Sequence, residues 1–172
     1  MQSMNDLAAS GLPGPRFQPI SSRSEQQSAL ETVFAAAQRE LRIFDQTCAG
    51  LGLNSPERHE NLRQFLLASR ARRIHIVVHD TRYLAAHCPR MILLIRQFSH
   101  AVFVQKTNKK LHGLHDNFVI ADNHSYLKQF HFEHPRGVAG TDDPGEAQAL
   151  LMRFGEIWEN SAPGLAATTL GL

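Results

Sequence analysis

The spacing of apolar positions predicts four helices in this chain. Apolar residues recur every three or four positions within residues 30–37, 62–66, 84–98 and 147–158. Ser24 is placed to cap the first helix, and Asp142 or Asp143 to cap the last, which has Pro144 in its first turn. The third helix spans residue 81 to about residue 99, and Pro89 inside it is expected to introduce a kink.

Runs rich in β-branched and aromatic residues predict strands at residues 41–44, 74–78, 101–104, 118–121 and 126–132, the last two as a hairpin. The predicted order is α-β-α-β-α-β-β-β-α. Because the early strands alternate with helices, we expect an α/β fold with a mixed, mostly parallel sheet flanked by helices. Ligands of such sheets bind beyond the carboxyl ends of the strands, where Asp45, His79 and Asp80 fall.

Composition predicts one folded unit between two flexible tails. Residues 1–22 and 162–172 are rich in Gly, Pro, Ser and Thr, so the domain is expected to span residues 23–161. No stretch resembles a secretion signal or a membrane span, which favours a cytoplasmic protein that does not insert into membranes. Cys48 and Cys88 have no metal-binding spacing and are interpreted as reduced core residues.

The net charge is only +2, but basic residues cluster at 58–73 and 106–110. Such clusters can attract phosphate or nucleic acid, although solvated helix faces explain them more simply. Ten histidines also raise the possibility of zinc. We rank that lower because the histidine-rich segment reads as loop and strand, without a matching cysteine frame, and we predict neither metal nor cofactor. The histidines in question are His112, His115, His124, His131 and His134, with Asp116 and Asp122 nearby.

The segment LHGLHDNFVIADNHSYL carries the most specific pattern in the chain. It places His115 before a strand, Asn117 two residues later, and Asp122 at the far end of that strand. This spacing resembles the HxKxxxxD signature of the phospholipase D superfamily, with Asn117 at the lysine position. The resemblance covers roughly residues 29–160 in the order of elements, but only this segment in residue identity.

The resemblance implies that His115 attacks a phosphodiester to form a phosphohistidine, while the lysine holds phosphate oxygens and the aspartate supports the motif. Here a neutral amide replaces that cation, which removes a charge the transition state needs. The GSxN stretch that often follows the motif is also absent from SYLKQFHFEHPRG. Active members combine two motifs and this chain holds one, so activity would require a homodimer.

Other residues could bind a phosphate-containing ligand in place of the missing lysine. Lys109 and Lys110 precede the motif, Lys128 lies on the next strand, and Arg82 begins a helix after Asp80. Asp45 and Asp80 complete the predicted ligand-binding set.

Two main hypotheses follow. The first is a phospholipase D-like domain with a degenerate HxNxxxxD site that is non-catalytic and binds a phosphate-containing ligand, nucleic acid or partner. The second is a metal-independent phosphodiesterase or nuclease acting as a homodimer through His115. A structural or zinc-binding module is a third, weaker reading, favoured if His115 and Asp122 lie on unrelated surfaces.

Overall fold

The computed structural model describes residues 16–167, which form eight strands and five α-helices. The strands are β1 (Arg16–Ile20), β2 (Glu40–Asp45), β3 (Arg73–Val78), β4 (Val102–Thr107), β5 (Asn117–Ala121), β6 (Ser125–His131), β7 (His134–Thr141) and β8 (Ser161–Leu165). The helices are α1 (Arg23–Ala36), α2 (Pro56–Leu67), α3 (Arg82–His87), α4 (Pro89–Gln97) and α5 (Pro144–Glu159). None of these helices is long and apolar enough to cross a lipid bilayer.

Side-chain caps fix where three of the helices begin. Ser22, rather than the expected Ser24, accepts a hydrogen bond from the Glu25 backbone N–H at the start of α1. Ser55 caps α2 in the same way. Asp143 caps α5 directly before Pro144, which confirms one of the two predicted capping residues.

All eight strands form one sheet in the order β1-β7-β6-β5-β2-β3-β4-β8. The predicted α/β fold with a mixed sheet flanked by helices is confirmed. The expectation of a mostly parallel sheet is wrong, because only β2–β3 and β3–β4 are parallel and the other five pairings are antiparallel. Tight turns join β5, β6 and β7, and such turns can only connect antiparallel neighbours.

The observed order differs from the predicted one because three strands and a helix break were missed. Strand β7 follows β6 in the hairpin, and the predicted third helix is divided into α3 and α4 at Cys88, before Pro89. Strand β1 lies within the predicted N-terminal tail, and β8 runs from the last residue of the predicted domain into the predicted C-terminal tail, so the sheet extends beyond both predicted domain boundaries. Of the two predicted tails, residues 1–15 and 168–172 lie outside the described part of the chain.

The sheet is covered on both faces. Helices α1 to α4 pack on one face around a core that includes Leu30, Ile43 and Ile76. Helix α5 covers the other face, where Phe118 and Tyr126 pack against its apolar side. Burial on two faces makes the central strands almost continuously apolar, so the polar residues at their ends stand out as candidates for function.

Candidate functional site

Strand pairing brings some of the predicted residues, Asp45, His79 and Asn117, to neighbouring strand ends at one edge of the sheet. Strand β5 runs antiparallel to β2, and the Phe44–Phe118 pair places Asn117 beside Asp45 at the carboxyl end of β2. His79 follows β3, which is parallel to β2. The carboxyl ends of the parallel strands and the amino end of β5 therefore meet at a single edge.

Asn117, at the lysine position of the motif, is buried and is hydrogen-bonded through both the oxygen and the nitrogen of its side-chain amide. Its Oδ1 accepts from the backbone N–H of Gln46 at 3.1 Å and lies 3.5 Å from the Gln46 side-chain Nε2. Its Nδ2 donates to Gln129 Oε1 at 3.1 Å. Only 9% of the residue is exposed. The amide thus ties three neighbouring strands together and has little hydrogen-bonding capacity left for a ligand.

His115 is exposed just before β5, and neither of its ring nitrogens has a hydrogen-bond partner within residues 16–167. The loop that carries it is nevertheless held in place. The adjacent Leu114 carbonyl accepts hydrogen bonds from Gln46 Nε2 at 3.1 Å and His79 Nε2 at 2.8 Å. The Phe132 backbone N–H donates to the His115 carbonyl at 2.8 Å. A positioned imidazole with free nitrogens can accept a proton, coordinate a metal ion or attack an electrophile.

His79 supports this loop as a buried imidazole. Its Nε2 donates to the Leu114 carbonyl, and its Nδ1 is hydrogen-bonded to the Thr107 hydroxyl, 2.6 Å away. Burial lowers the pKa of His79, and the nearby His112 and His115 lower it further. Sequence reasoning placed His79 at the strand end but did not identify this supporting role.

Asp122 lies at the other end of β5, away from the His115 edge. Its carboxylate accepts hydrogen bonds from the backbone N–H groups of Gln38, Arg39 and Glu40 at 2.8–2.9 Å. Burial opposes ionisation, but these backbone donors, together with His124, lower the pKa of Asp122. The residue adopts a positive φ of 54° and anchors the start of β2. Its observed contacts are structural.

The remaining predicted ligand-binding residues do not form one group. Asp45 lines a cleft at the site edge, where its Oδ1 accepts from the backbone N–H groups of Thr47 and Cys48. Burial raises the pKa of Asp45, although these hydrogen bonds partly counteract it. Arg82 is 90% exposed and pairs with Asp80, which holds the pKa of Asp80 at about 2.

The predicted lysines are dispersed as well. Lys109 and Lys110 are exposed in a short 3-10 turn (Lys109–Leu111) after β4. Lys128 pairs with Phe118 across β5 and β6, so its side chain lies on the α5 face of the sheet. Asn117 pairs with Gln129 on the opposite face. Lys128 therefore points away from the cleft beside Asn117.

The cleft at the site edge has a volume of about 350 Å³ and is rich in side-chain amides. It is lined by Gln26 and Gln27 of α1, by Gln46, and by Asn117 and Gln129. Arg23 in the first turn of α1 is its one lining cation, and Arg23 forms no ion pair among residues 16–167. Sequence reasoning missed Arg23, and the available signal was its position beside the helix-capping Ser22.

A second cavity, of about 380 Å³, lies between α1 and α2 and contains none of the predicted site residues. Its buried Arg58 pairs with Glu31 and lies 4.1 Å over the Phe34 ring. The charge of Arg58 is thus already compensated, and the cavity has no link to the His115 edge.

One group of side chains could hold a metal ion. Ligand atoms of His131, Glu133 and His134 all lie within 4.8 Å of one another, and no other such group occurs among the described residues. His131 is close to the candidate site, with its ring centroid 5.2 Å from that of His115.

The fold is phospholipase D-like. The chain aligns with Nuc, a phospholipase D family member from Salmonella typhimurium, at a TM-score of 0.54 and 16% identity, covering 88% of this chain and 99% of Nuc. For NucT from Helicobacter pylori the TM-score is 0.56 at 14% identity, covering 87% of this chain and 99% of NucT.

The archaeal chromatin protein TrmBL2, described as showing a novel mode of DNA binding, is also similar. Its TM-score is 0.62 at 11% identity, and the alignment covers 87% of this chain and 55% of TrmBL2. At these identities the likeness concerns the fold. The chain belongs to the family described as a domain of unknown function, DUF7931, which matches residues 22–168. No curated protein matches the chain.

Proposed function

We propose that this chain is a non-catalytic phospholipase D-like domain that binds the phosphate groups of DNA at the cleft beside β2 and β5. The observation that carries this proposal is the state of Asn117. The residue at the motif's cation position is neutral, buried and hydrogen-bonded to Gln46 and Gln129. No cation can act from that position.

The loss of this cation weakens catalysis more than it weakens binding. Charge develops on the phosphate oxygens during transfer, and removing one preorganised electrostatic donor costs roughly 100- to 1,000-fold in rate. Ground-state binding of a phosphate group requires less, because hydrogen-bond donors and one cation are enough to hold it. The amide-rich cleft with Arg23 has this character.

DNA is the favoured phosphate-containing ligand for two reasons. The similar fold in TrmBL2 belongs to a DNA-binding protein. The chain also carries a small positive net charge of +2, and Arg23, Lys109 and Lys110 are all exposed. Such cations can contact several backbone phosphates without reading the base sequence.

The proposal is tested by fluorescence anisotropy of labelled single- and double-stranded DNA with the full chain. Arg23→Ala should weaken binding roughly tenfold and reduce the salt dependence by about one phosphate contact. Arg96→Ala is the matched control, because Arg96 is exposed at the end of α4 and does not line the cleft. Equal losses in the two variants, or no binding by the unaltered chain, would contradict the proposal.

A second candidate function is a metal-independent phosphodiesterase or nuclease that acts as a homodimer. The observation that favours it is the positioned, exposed imidazole of His115. A ring nitrogen would attack phosphorus and expel the alcohol, and water would then hydrolyse the phosphohistidine. A second copy would have to provide the other motif, with a nearby lysine or arginine supplying charge.

This candidate predicts a covalent intermediate. Mixtures of the full chain and end-labelled DNA, quenched with sodium dodecyl sulfate at alkaline pH to preserve the acid-labile phosphohistidine, should then show a protein-bound label on a denaturing gel. The label should be absent with His115→Ala and retained with His100→Ala, a histidine exposed after α4. If no adduct forms with the unaltered chain or with His100→Ala, the second candidate fails and the binding proposal is unaffected.

A further inference from the structure

The end of the β6–β7 hairpin brings three metal-binding side chains together. His131 and His134 are direct partners across the two strands, and Glu133 lies in the two-residue turn between them. Cross-strand partners project to the same face of a hairpin, and the two imidazole centroids here are 5.8 Å apart. The hairpin itself therefore determines that these three residues lie together.

Their spacing is close to what a transition metal needs. One ligand atom from each residue lies within 4.8 Å of the other two. Zinc bonds to nitrogen and oxygen are about 2 Å long, which puts ligand atoms of a tetrahedral site roughly 3.3 Å apart. Glu133 and His134 are exposed side chains. Small changes in their side-chain torsion angles can shorten the ligand-atom distances from within 4.8 Å to the roughly 3.3 Å of a tetrahedral site, without moving the backbone.

Few existing contacts oppose this rearrangement. Neither Glu133 nor His134 uses its side chain in a hydrogen bond or ion pair within residues 16–167. His131 Nδ1 accepts one long hydrogen bond from the Glu133 backbone N–H, at 3.2 Å. Metal binding would exchange that single bond for a coordinate bond. Phe132 stacks on the His131 ring with centroids 4.8 Å apart, which limits the orientations of that ring.

The hairpin is also held rigidly next to the candidate site. Gln129, the partner of Asn117, donates from its Nε2 to the carbonyl oxygens of both Phe132 and His134, at 3.2 and 2.7 Å. The Phe132 N–H in turn bonds to the His115 carbonyl. These contacts place the centroid of the His115 ring 5.2 Å from that of His131, so a rotation of this exposed side chain would bring one of its nitrogens towards the three residues whose ligand atoms lie within 4.8 Å of one another.

We propose that His131, Glu133 and His134 form a binding site for a divalent transition metal ion such as Zn²⁺, with His115 as its fourth ligand. Two or three imidazoles and one carboxylate suit Zn²⁺, Co²⁺ or Ni²⁺, whereas Mg²⁺ and Ca²⁺ prefer oxygen ligands. A metal ion bound by His115 would occupy one of its two ring nitrogens. None of these four ligands lines the cleft, although Phe132 of the same hairpin does.

The test uses the full chain without a histidine tag, stripped of metal and titrated with Co²⁺ and Zn²⁺. We expect one equivalent of Co²⁺ to produce visible absorption bands of a low-coordinate site, and Zn²⁺ to displace them. His131→Ala and His134→Ala should each weaken binding at least tenfold, and His115→Ala should weaken it less. His100→Ala, at an exposed histidine outside the hairpin, should leave binding unchanged.

Circular dichroism of each variant checks that the fold is retained. Glu133→Gln supplies a second variant, which removes a charged ligand from an exposed turn without disturbing strand pairing. The proposal is overturned if Co²⁺ gives no such bands at one equivalent, or if the hairpin variants bind metal as tightly as His100→Ala.

Discussion

The two ends of strand β5 carry different parts of one sequence motif, and these parts have different roles. At the amino end, His115 is exposed and Asn117 lines the cleft. At the carboxyl end, Asp122 turns towards the backbone of residues 38–40 and holds the start of β2. The histidine and the aspartate of the motif are seven residues apart, but the aspartate stabilises the fold whereas the histidine belongs to the candidate site.

This difference explains how the motif can persist without its lysine. The aspartate stabilises the structure through backbone hydrogen bonds, so its presence gives no evidence of catalysis. Asn117 lines the cleft and His115 is exposed at the same end of β5, so any chemistry depends on these two residues. Asn117, in place of the lysine, connects the amino end of β5 to the neighbouring strands through hydrogen bonds with Gln46 and Gln129. Each end of β5 can therefore be perturbed separately.

The largest effect is expected at the carboxyl end. Asp122→Ala leaves three backbone N–H groups without their acceptor, and we expect it to lower the free energy of unfolding by about 3 kcal/mol. Urea denaturation measures this loss. Asp142→Ala is the control, because Asp142 has a nearly identical φ of 53° but a 65% exposed side chain. A similar loss in both variants would attribute the effect to backbone strain rather than to the hydrogen bonds.

A smaller loss of stability is expected when the motif's lysine is restored. Asn117→Lys would bury a charge and break the bonds to Gln46 and Gln129, at a cost of about 2 kcal/mol. We expect no gain in phosphodiester hydrolysis. Asn123→Lys, at an exposed residue beyond the other end of β5, should leave stability almost unchanged. A stable Asn117→Lys variant that hydrolyses phosphodiesters would show that the site needs only its cation.

Stability should also depend on pH through the histidine beneath the site. Burial lowers the pKa of His79, so below its ordinary value of about 6.5 the unfolded chain binds more protons than the folded chain. The free energy of unfolding should therefore fall as the pH is lowered from 7 to 5. Burial also lowers the pKa of His75, so replacing His79 should reduce the fall without abolishing it.

Urea midpoints measured across this pH range test the prediction with His79→Gln. Glutamine can still donate to the Leu114 carbonyl but does not titrate. The exposed His100→Gln variant should retain the pH dependence of the unaltered chain. An unchanged slope in His79→Gln would mean that folding does not lower the pKa of His79.

The smallest effect is expected for Asp45, whose carboxyl lines the cleft. Asp45→Asn keeps an acceptor for the Thr47 and Cys48 N–H groups but removes a negative charge near bound phosphate. We expect DNA affinity to rise about threefold at low salt, measured by anisotropy. Asp142→Asn makes the same change in net charge at an exposed position. An equal rise in both variants would indicate a long-range charge effect, without phosphate in the cleft.

The sequence predicted the fold where local patterns were strong. Strands β2 to β6 and helix α5 follow apolar runs that packing on both faces requires. Strands β1 and β8 were missed because they pair at the sheet edges, remain largely exposed and contain Pro19 and Pro163, so they lack an apolar pattern. Strand β7 begins at His134–Pro135 and contains two glycines, which usually indicate a turn.

The site was predicted only in part, because several of its residues also lack a local sequence pattern. The motif located His115 and Asn117 at a strand end, but Gln46 and Gln129 reach Asn117 only through the pairing of β2, β5 and β6. Residues so far apart in the chain leave no local signal. Arg23 enters the cleft because α1 packs over the same sheet edge, which depends on tertiary structure.

The central claim is that the cleft binds phosphate without catalysing its transfer. The most direct test is hydrolysis of bis(p-nitrophenyl) phosphate by the full chain in EDTA, compared with His115→Ala prepared identically. The account predicts equal rates for the two proteins, at the level of the buffer. Hydrolysis by the unaltered chain that is lost in His115→Ala would contradict it and establish a metal-independent phosphodiesterase.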